Sequence, residues 1–488
     1  MCGGTYAVFQ GRSCYSELAL HTDSTLTLGR FASHRHIGDW GLMKAGYNTC
    51  PLQTLSVIRI APFMESLSSA SLAPPFYTLN TSASHDTPFR TPSLSAADTK
   101  VDVAKELLDA HVLLDPRSYN SEAFARQLLS IFITLRISGW ERTPLNPNSV
   151  SVHRASGCFM NDVYIVSGPS VPTVLLRVYG SSSDSIVSRS RELYTLHVLS
   201  SRYHIGPRIY GTFTNGRIEE YIDSITLTSL DIRDKTISRW IGARMAELHS
   251  ININAIEGQS EENTEIDAEK NVRQWVQLAR EVLAHPNVNE EDRVALDMDN
   301  FALQWSRYMN WISRVEKVEG PSRRVFAHND IHGGNLLRLN SRLPEGTPEY
   351  HQIVMVDFEY AGPNPRAFDI ANHFQEWTAD YQSSTPYLFN TSLYPTYAER
   401  RNFYEAYLSH AGSTNSTNDR EASIIRLERE VHIWGPACNA MWAVCNIVAD
   451  KDQVERGLAE GEYDCNIAVA KYRMAAFFRE LEVVLSSN

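Results

Sequence analysis

The chain has 488 residues, of which 43% are hydrophobic and 10% aromatic, and its 57 acidic and 45 basic side chains give a formal net charge of -12. That length predicts two or three domains with a sizeable core, and the acidic balance argues against nucleic acid or an anionic membrane as the main partner, because both reward a basic face. The cysteines Cys2, Cys14, Cys50, Cys158, Cys438, Cys445 and Cys465 contain no Cys-x-x-Cys pair and are odd in number. This is neither a zinc pattern nor a disulfide framework, and it suits a reducing compartment. No run approaches the roughly 20 apolar residues of a membrane helix. The opening MCGGTYAVFQGRSCY lacks the basic start and apolar stretch of a secretory signal, so the expected address is the cytoplasm.

Residues 1–97 carry few charges, many Ser and Thr, and no sustained period. Stretches such as SLSSASLAPPFYTLNTSASHDTPFRTPSLSAAD have the composition of a loose tail rather than a packed domain, although Leu55–Ile60 has the content of a short strand. From Ser121 the pattern tightens. Phe124, Leu128, Leu129, Phe132 and Leu135 form a helical stripe, with Asn120 or Ser121 as N-cap and Ser138-Gly139 as the stop. Val163–Val166 and Val174–Tyr179, separated by Ser-Gly-Pro, predict a β-hairpin. The turn before it, Ala155-Ser156-Gly157-Cys158-Phe159-Met160-Asn161, has the small residues that let backbone N–H groups approach phosphate oxygens. Arg177 lies mid-strand among apolar neighbours, where a charge is costly unless paired. It reads either as a phosphate-binding cation or as an edge-strand residue facing solvent, with Glu192 on the following helix as the candidate acidic partner. A second hairpin is expected around Thr214-Asn215-Gly216.

Residues 236–248 form a helix with Ile237, Ile241, Met245 and Leu248 on one side, and His249 closes it as a helix-end histidine. The segment 257–319 is acidic and helical, and its Trp275, Trp305 and Trp311 read as core anchors. The segments ERRNFYEAYLSHAG, ASIIRLEREVHIWGPACNAMWAVCNIVAD and YDCNIAVAKYRMAAFFREL are further helices.

The chemistry concentrates between Val325 and Tyr381. Two apolar runs, Val325–Ala327 and Ile353–Val356, read as strands, and each ends in polar residues. The first is followed by His328, Asn329, Asp330 and Asn335, the second by Asp357. In phosphoryl transfer one Asp orients the attacking hydroxyl, while an Asn and a second Asp hold the magnesium that bridges the phosphates. His328-x-Asp330-x-x-x-x-Asn335 fits the protein-kinase catalytic loop, and Asp357-Phe358-Glu359 replaces its Asp-Phe-Gly, which points to a small-molecule kinase.

HNDIHGGNLL followed by VDFEYAGPNPRAFDIANHFQEW resembles the choline/ethanolamine kinase family. The resemblance implies an α+β, protein-kinase-like two-lobed fold. Residues 98–223 would form a small β-rich ATP-binding lobe and 224–488 a large, mainly helical catalytic and amino-alcohol-binding lobe, with 1–97 as an extension outside them. It implies transfer of the ATP γ-phosphate to choline, the first step of the CDP-choline route to phosphatidylcholine. Ethanolamine is the alternative acceptor, and a kinase-shaped binding protein with weak turnover the further alternative. Asp330, Asn335 and Asp357 would be catalytic, with Asn335 and Asp357 on Mg²⁺ and His328 and Asn329 bracing the loop. Ser156, Gly157, Asn161 and Arg177 would contact ATP, together with the lobe crossing Glu219, Glu220, Tyr221 and Ile222. Tyr360, Glu376, Tyr381 and Trp442 would hold the ammonium by aromatic faces and a carboxylate. Trp377 favours choline. Cys158, Met160, His332 and Cys445 depart from the family pattern, and Cys445 leaves room for ethanolamine. A homodimer is left open.

Overall fold

Ser121 starts the first long helix, α1 (Glu122–Thr134), by accepting the Phe124 N–H on its hydroxyl at 3.1 Å. The helix stops at Thr134, short of the expected Ser138-Gly139. Ile137 N–H returns to the Phe132 carbonyl and Arg136 takes φ +53°, so the left-handed turn that closes the helix comes before the glycine. The computed structural model describes residues 107–155, 161–180, 188–257, 265–381, 383, 385–410, 417–457 and 466–486. The extension 1–97, the Leu55–Ile60 segment and the loop holding Ser156, Gly157, Cys158 and Met160 lie outside them.

α1 covers a six-stranded sheet in the order β1-β5-β6-β4-β3-β2. Its strands are β1 (Asp109–Ala110), β2 (Ser151–Arg154), β3 (Asn161–Ser167), β4 (Val174–Tyr179), β5 (Ile209–Phe213) and β6 (Gly216–Glu220). Both expected hairpins form, β3 with β4 and β5 with β6. The second turn is not of the Asn-Gly kind, for neither Asn215 nor Gly216 has positive φ. Instead the Asn215 side chain clamps Leu114, accepting its N–H at 3.0 Å and donating to its carbonyl at 2.8 Å. Gly216 is needed for close approach, because a Cβ there would overlap the Arg177 carbonyl oxygen on β4. Phe124, Phe132, Trp140, Tyr164, Leu176 and Ile218 form the core between helix and sheet. A second helix, α2 (Arg189–Arg202), carries Glu192.

The chain leaves this sheet after Glu220 and joins a separate three-stranded one, β10-β9-β7, made of β7 (Ser224–Thr226), β9 (Leu336–Leu339) and β10 (Ile353–Met355). β8 (Arg324–Ala327) pairs antiparallel with β11 (Gly362–Pro365). The remainder is helical: α3 (Lys235–Leu248), α4 (Asp267–Leu283), α5 (Met298–Glu319), α6 (Arg366–Glu376), α7 (Tyr397–His410), α8 (Thr417–Ala449) and α9 (Asn466–Ser486), with short helical turns between. Trp275, Trp305 and Trp311 are buried as expected, in one core with Trp377 and Trp434. A fully buried large apolar side chain contributes about 1.5–3 kcal/mol. Pro436 sits inside the 33-residue α8, where it removes a helical donor. Nearby carbonyls find side-chain donors instead: Tyr308 OH reaches the Ile433 oxygen at 2.7 Å and Gln375 Nε2 the Gly435 oxygen at 2.9 Å. Cys438 and Cys445 are free and buried, and among the described residues no helix is long and apolar enough to cross a membrane.

Candidate active site

β8 delivers His328, Asn329 and Asp330 into a loop that one buried carboxylate organises. Asp369 on α6 accepts the backbone N–H groups of His328 and Asn329, each at 2.8 Å, and lies 2.9 Å from His249 Nε2. His249 is the helix-end residue of α3, and its Nδ1 meets Tyr407 OH at 2.9 Å. Burial opposes the charge on Asp369, but the His249 and His328 hydrogen bonds more than offset it and hold the carboxyl below the usual range. Asn329 sits at φ +68°, a strained position for a residue with a side chain. Its Nδ2 donates to the Tyr360 carbonyl at 2.8 Å and its Oδ1 accepts from Asn364 Nδ2 at 2.7 Å. His328 Nε2 reaches the Val356 carbonyl at 2.9 Å. Both residues brace the loop, as the sequence suggests.

The three expected catalytic residues come together. Asn335 Nδ2 donates to the Asp330 carbonyl and to its Oδ2, both at 3.0 Å. The Asn335 carbonyl accepts the N–H of Val356 at 3.0 Å, which sets Asp357 beside it. Burial raises the Asp330 pKa above the ordinary carboxylate value. His332 Nε2 lies 3.8 Å from Asp330 Oδ2, and its ring stands edge-on to Tyr381 at 5.9 Å. Asp357, itself at φ +66°, faces Arg177 Nη1 at 3.3 Å. Burial disfavours its charge, and Arg177 and Arg217 reverse this and lower its pKa.

Arg177 is not an edge residue. It lies on β4 between β3 and β6 and is only 8% exposed. Its partners are Asp357 and Glu219, the latter 3.3 Å from Nε, and not the expected Glu192. The register explains the correction. Arg177 stands opposite Arg217, and Glu219, two residues along, bridges the two guanidiniums. Glu192 on α2 is then taken by Arg217 at 2.8 Å and Arg189 at 3.1 Å. The Glu219 side chain is thereby committed to ion pairs, and Glu220 accepts the Arg208 N–H at 3.2 Å. Tyr221 and Ile222 lie between β6 and β7, where the chain crosses. Asn161 opens β3 and accepts from Arg189 Nη2 at 3.2 Å.

Sequence reasoning missed Glu359 as a functional group. Glu192, Asp357 and Glu359 each offer an oxygen within 4.8 Å of the others. Burial, then the neighbouring charges of Asp357 and Glu192, push the Glu359 pKa well up, and its Oε2 is buried without a hydrogen-bond partner. An unsatisfied carboxylate beside two others suits a hard divalent cation, which takes all-oxygen ligands. The signal was present in the acid of Asp-Phe-Glu, two residues after Asp357.

Tyr360 and Trp442 meet edge-on at 5.1 Å, and Trp275 closes on Tyr360 at 6.4 Å. Trp442 Nε1 donates to Asn372 Oδ1 at 2.8 Å, and Cys445 Sγ lies 3.7 Å from the Tyr360 hydroxyl. Tyr381 OH donates to Glu376 Oε2 at 2.7 Å. The other Glu376 oxygen is ion-paired with Arg473, a buried α9 residue that sequence reasoning also missed. Trp377 packs in the core against His373 and Phe374, with Arg233 over its ring at 4.9 Å.

A β-rich lobe whose buried Arg177 reaches an Asp at the end of a strand in a helical lobe defines a kinase-like fold built for small-molecule phosphoryl transfer. Residues 152–478 match the family described as choline/ethanolamine kinase. The choline kinase of Schizosaccharomyces pombe is 35% identical over 359 residues, which span 67% of this chain and 76% of that one. The ethanolamine kinase of Saccharomyces cerevisiae is 28% identical over 375 residues, 72% of this chain and 68% of that one. The crystal structure of a choline kinase from Cryptosporidium parvum superposes with a TM-score of 0.58 at 23% identity, covering 74% of this chain and 96% of that one. The chain belongs to the choline/ethanolamine kinase family.

Proposed function

We propose that this kinase transfers the γ-phosphate of ATP to the hydroxyl of choline, in the cytoplasm, with residues 98–223 as the ATP-binding lobe and 224–488 as the lobe that carries catalysis and the acceptor. The observation that carries the choice of acceptor is the state of Glu376. Both its oxygens are engaged, one by Arg473 and one by Tyr381. A quaternary ammonium seated there would rest on the aromatic side chains of Tyr360 and Trp442, each contact contributing about 0.5–2 kcal/mol, whereas a primary ammonium would find both Glu376 oxygens already engaged.

Asp330 orients the acceptor hydroxyl and receives its proton. Its raised pKa makes it a better base than an exposed aspartate, though position contributes most because the hydroxyl is far less acidic. Asp357, Asn335 and Glu359 would hold Mg²⁺, which when bound would supply charge neutralisation to the nucleotide phosphates. Arg177 adds fixed positive charge beside Asp357 for the nucleotide phosphates. Asn161, Ser156 and Gly157 would contribute to ATP binding, and the backbone from Glu219 to Ile222 would meet the adenine. Residues 1–97 are a dispensable extension, and trimming them by limited proteolysis should leave full activity.

Ethanolamine is the second reading, favoured by Cys445, whose small side chain stands where choline kinases usually carry a second tryptophan. A coupled ADP-release assay over both amino alcohols separates the two. Choline should show the higher kcat/KM, and the reverse ranking overturns the choice.

A further inference from the structure

A cavity of about 330 Å³ opens between α6, α8 and α9. None of Asp330, Tyr360, Glu376, Tyr381 or Trp442 lines it. Its volume is within the range of small-molecule sites, roughly 300–1,000 Å³. Val431, Ala476 and Val484 supply apolar wall, and Tyr394 and Tyr472 supply rings. Glu480 also lines it. Oε1 accepts from Asn439 Nδ2 at 3.0 Å and Oε2 from Gln375 Nε2 at 3.5 Å. Both donors are neutral amides, and among the described residues no cation forms an ion pair with Glu480.

Of the two arginines in the cavity wall, Arg479 is exposed and Arg473 is committed elsewhere. Arg473 gives Nη2 to Glu376 and Nη1 to Gln375 Oε1 at 3.3 Å and Asn439 Oδ1 at 3.2 Å. Its Nε lacks a hydrogen-bond partner, and the residue is 3% exposed. Arg473 and Glu480 thus share two amides without touching each other. A half-buried carboxyl that faces a cavity and forms no ion pair with the two arginines in its wall remains costly to ionise, and a cation seated directly on it would lower that cost. The shared amides also make a continuous path from Glu480 through Asn439 and Arg473 to Glu376 and Tyr381.

We propose that this cavity binds a small organic ammonium ion on Glu480, and that Asn439 and Arg473 couple its occupancy to the acceptor carboxylate Glu376. The coupling rests on the proposed role of Glu376; the binding does not. Burial raises the Glu480 pKa to about 7, with Arg479 and Arg473 acting the other way. The remaining titratable neighbours are His432 on α8, whose pKa burial lowers, Tyr394, whose pKa burial raises, and Tyr472. His432 and Arg479 are exposed. Binding a cation ionises the carboxyl and releases its proton, so affinity rises with pH through this range.

The test is calorimetric titration of benzylammonium into the full chain held at saturating choline and an ATP analogue. Binding should persist there and be about tenfold tighter at about pH 8 than at about pH 6. It should weaken about tenfold or more in Glu480→Gln, which keeps both amide contacts. The amine should also shift the KM for choline in the wild type but not in that variant. Displacement by choline, pH-independent binding, equal binding in Glu480→Gln, or no binding up to millimolar amine each overturns the proposal. The wild-type arms decide it even if the variant unfolds. Choline-dependent ADP release without amine checks the kinase reading separately, so its failure is distinguishable from failure of the second site.

Discussion

Asp369→Ala removes the group that holds the catalytic loop. Three hydrogen bonds end on that carboxylate, from two backbone N–H groups at 2.8 Å and from His249 at 2.9 Å, and the residue is fully buried. Each donor left unsatisfied costs about 1–3 kcal/mol, so the loss is about 5 kcal/mol. That is a large share of the roughly 5–15 kcal/mol that stabilises a domain. Asn329 adds a second effect. At φ +68° it stores about 1–3 kcal/mol of strain that the surrounding bonds must hold. Without Asp369 the loop relaxes and Asp330 leaves its place, and a displacement of about 1 Å costs on the order of a hundredfold in turnover. Asp369→Asn keeps one acceptor oxygen but turns an N–H₂ toward a backbone N–H, so it should lose about half as much stability. Urea unfolding followed by tryptophan fluorescence, with kcat measured on the folded fraction, reads both effects. A midpoint shift below about 0.5 kcal/mol with unchanged turnover in the alanine variant would refute the bracing argument.

Glu359→Gln should raise the Mg²⁺ concentration for half-maximal ADP release about tenfold, since a liganding carboxylate is replaced by a neutral amide; an unchanged requirement removes Glu359 from the metal set. The raised Asp330 pKa places the acid limb of the kcat/KM profile above the ordinary value of 3.8, with activity lost as pH falls and the base protonates, and a limb at or below 3.8 contradicts the assignment. His373 is buried neutral, its pKa lowered from 6.5 to about 4. The unfolded chain binds that proton first, so stability is present above 6.5 and is lost as pH falls toward 4, by about 3 kcal/mol; thermal melts of His373→Gln should flatten that stretch of the curve, and an unaltered slope is the contrary result. Gly216→Ala drives a Cβ into the Arg177 carbonyl and should cost about 1–3 kcal/mol in unfolding measurements while raising the KM for ATP, whereas a neutral outcome shows that the strands can part without moving Arg177.

The sequence made the centre of the molecule legible because the chemistry there is local. Asp330 and Asn335 share one loop, Asp357 follows a short apolar run, and hairpins such as β3–β4 announce themselves by alternation. What was not legible depends on register or on distant packing. The partner of Arg177 was misassigned because only the β4–β6 register, with Arg177 opposite Arg217, brings Glu219 between them. β11 escaped notice because Gly-Pro-Asn-Pro carries none of the usual strand residues, and prolines are tolerated there only because the pair with β8 has two strands and hence free edges. Arg473 and Glu376 are far apart in sequence and meet because α6 and α9 both pack against α8. The premature stop of α1 needed a left-handed arginine where the pattern offered a glycine.

The central claim, that Asp330 serves choline phosphorylation at a metal-bound nucleotide, is tested most directly by coupled ADP release in the presence of Mg²⁺, with and without choline, for the wild type and Asp330→Ala. The account predicts choline-dependent turnover in the wild type and its loss in a variant that still melts cooperatively and still binds ATP. Equal turnover in the two proteins, or ATP consumption indifferent to choline and ethanolamine alike, would contradict it.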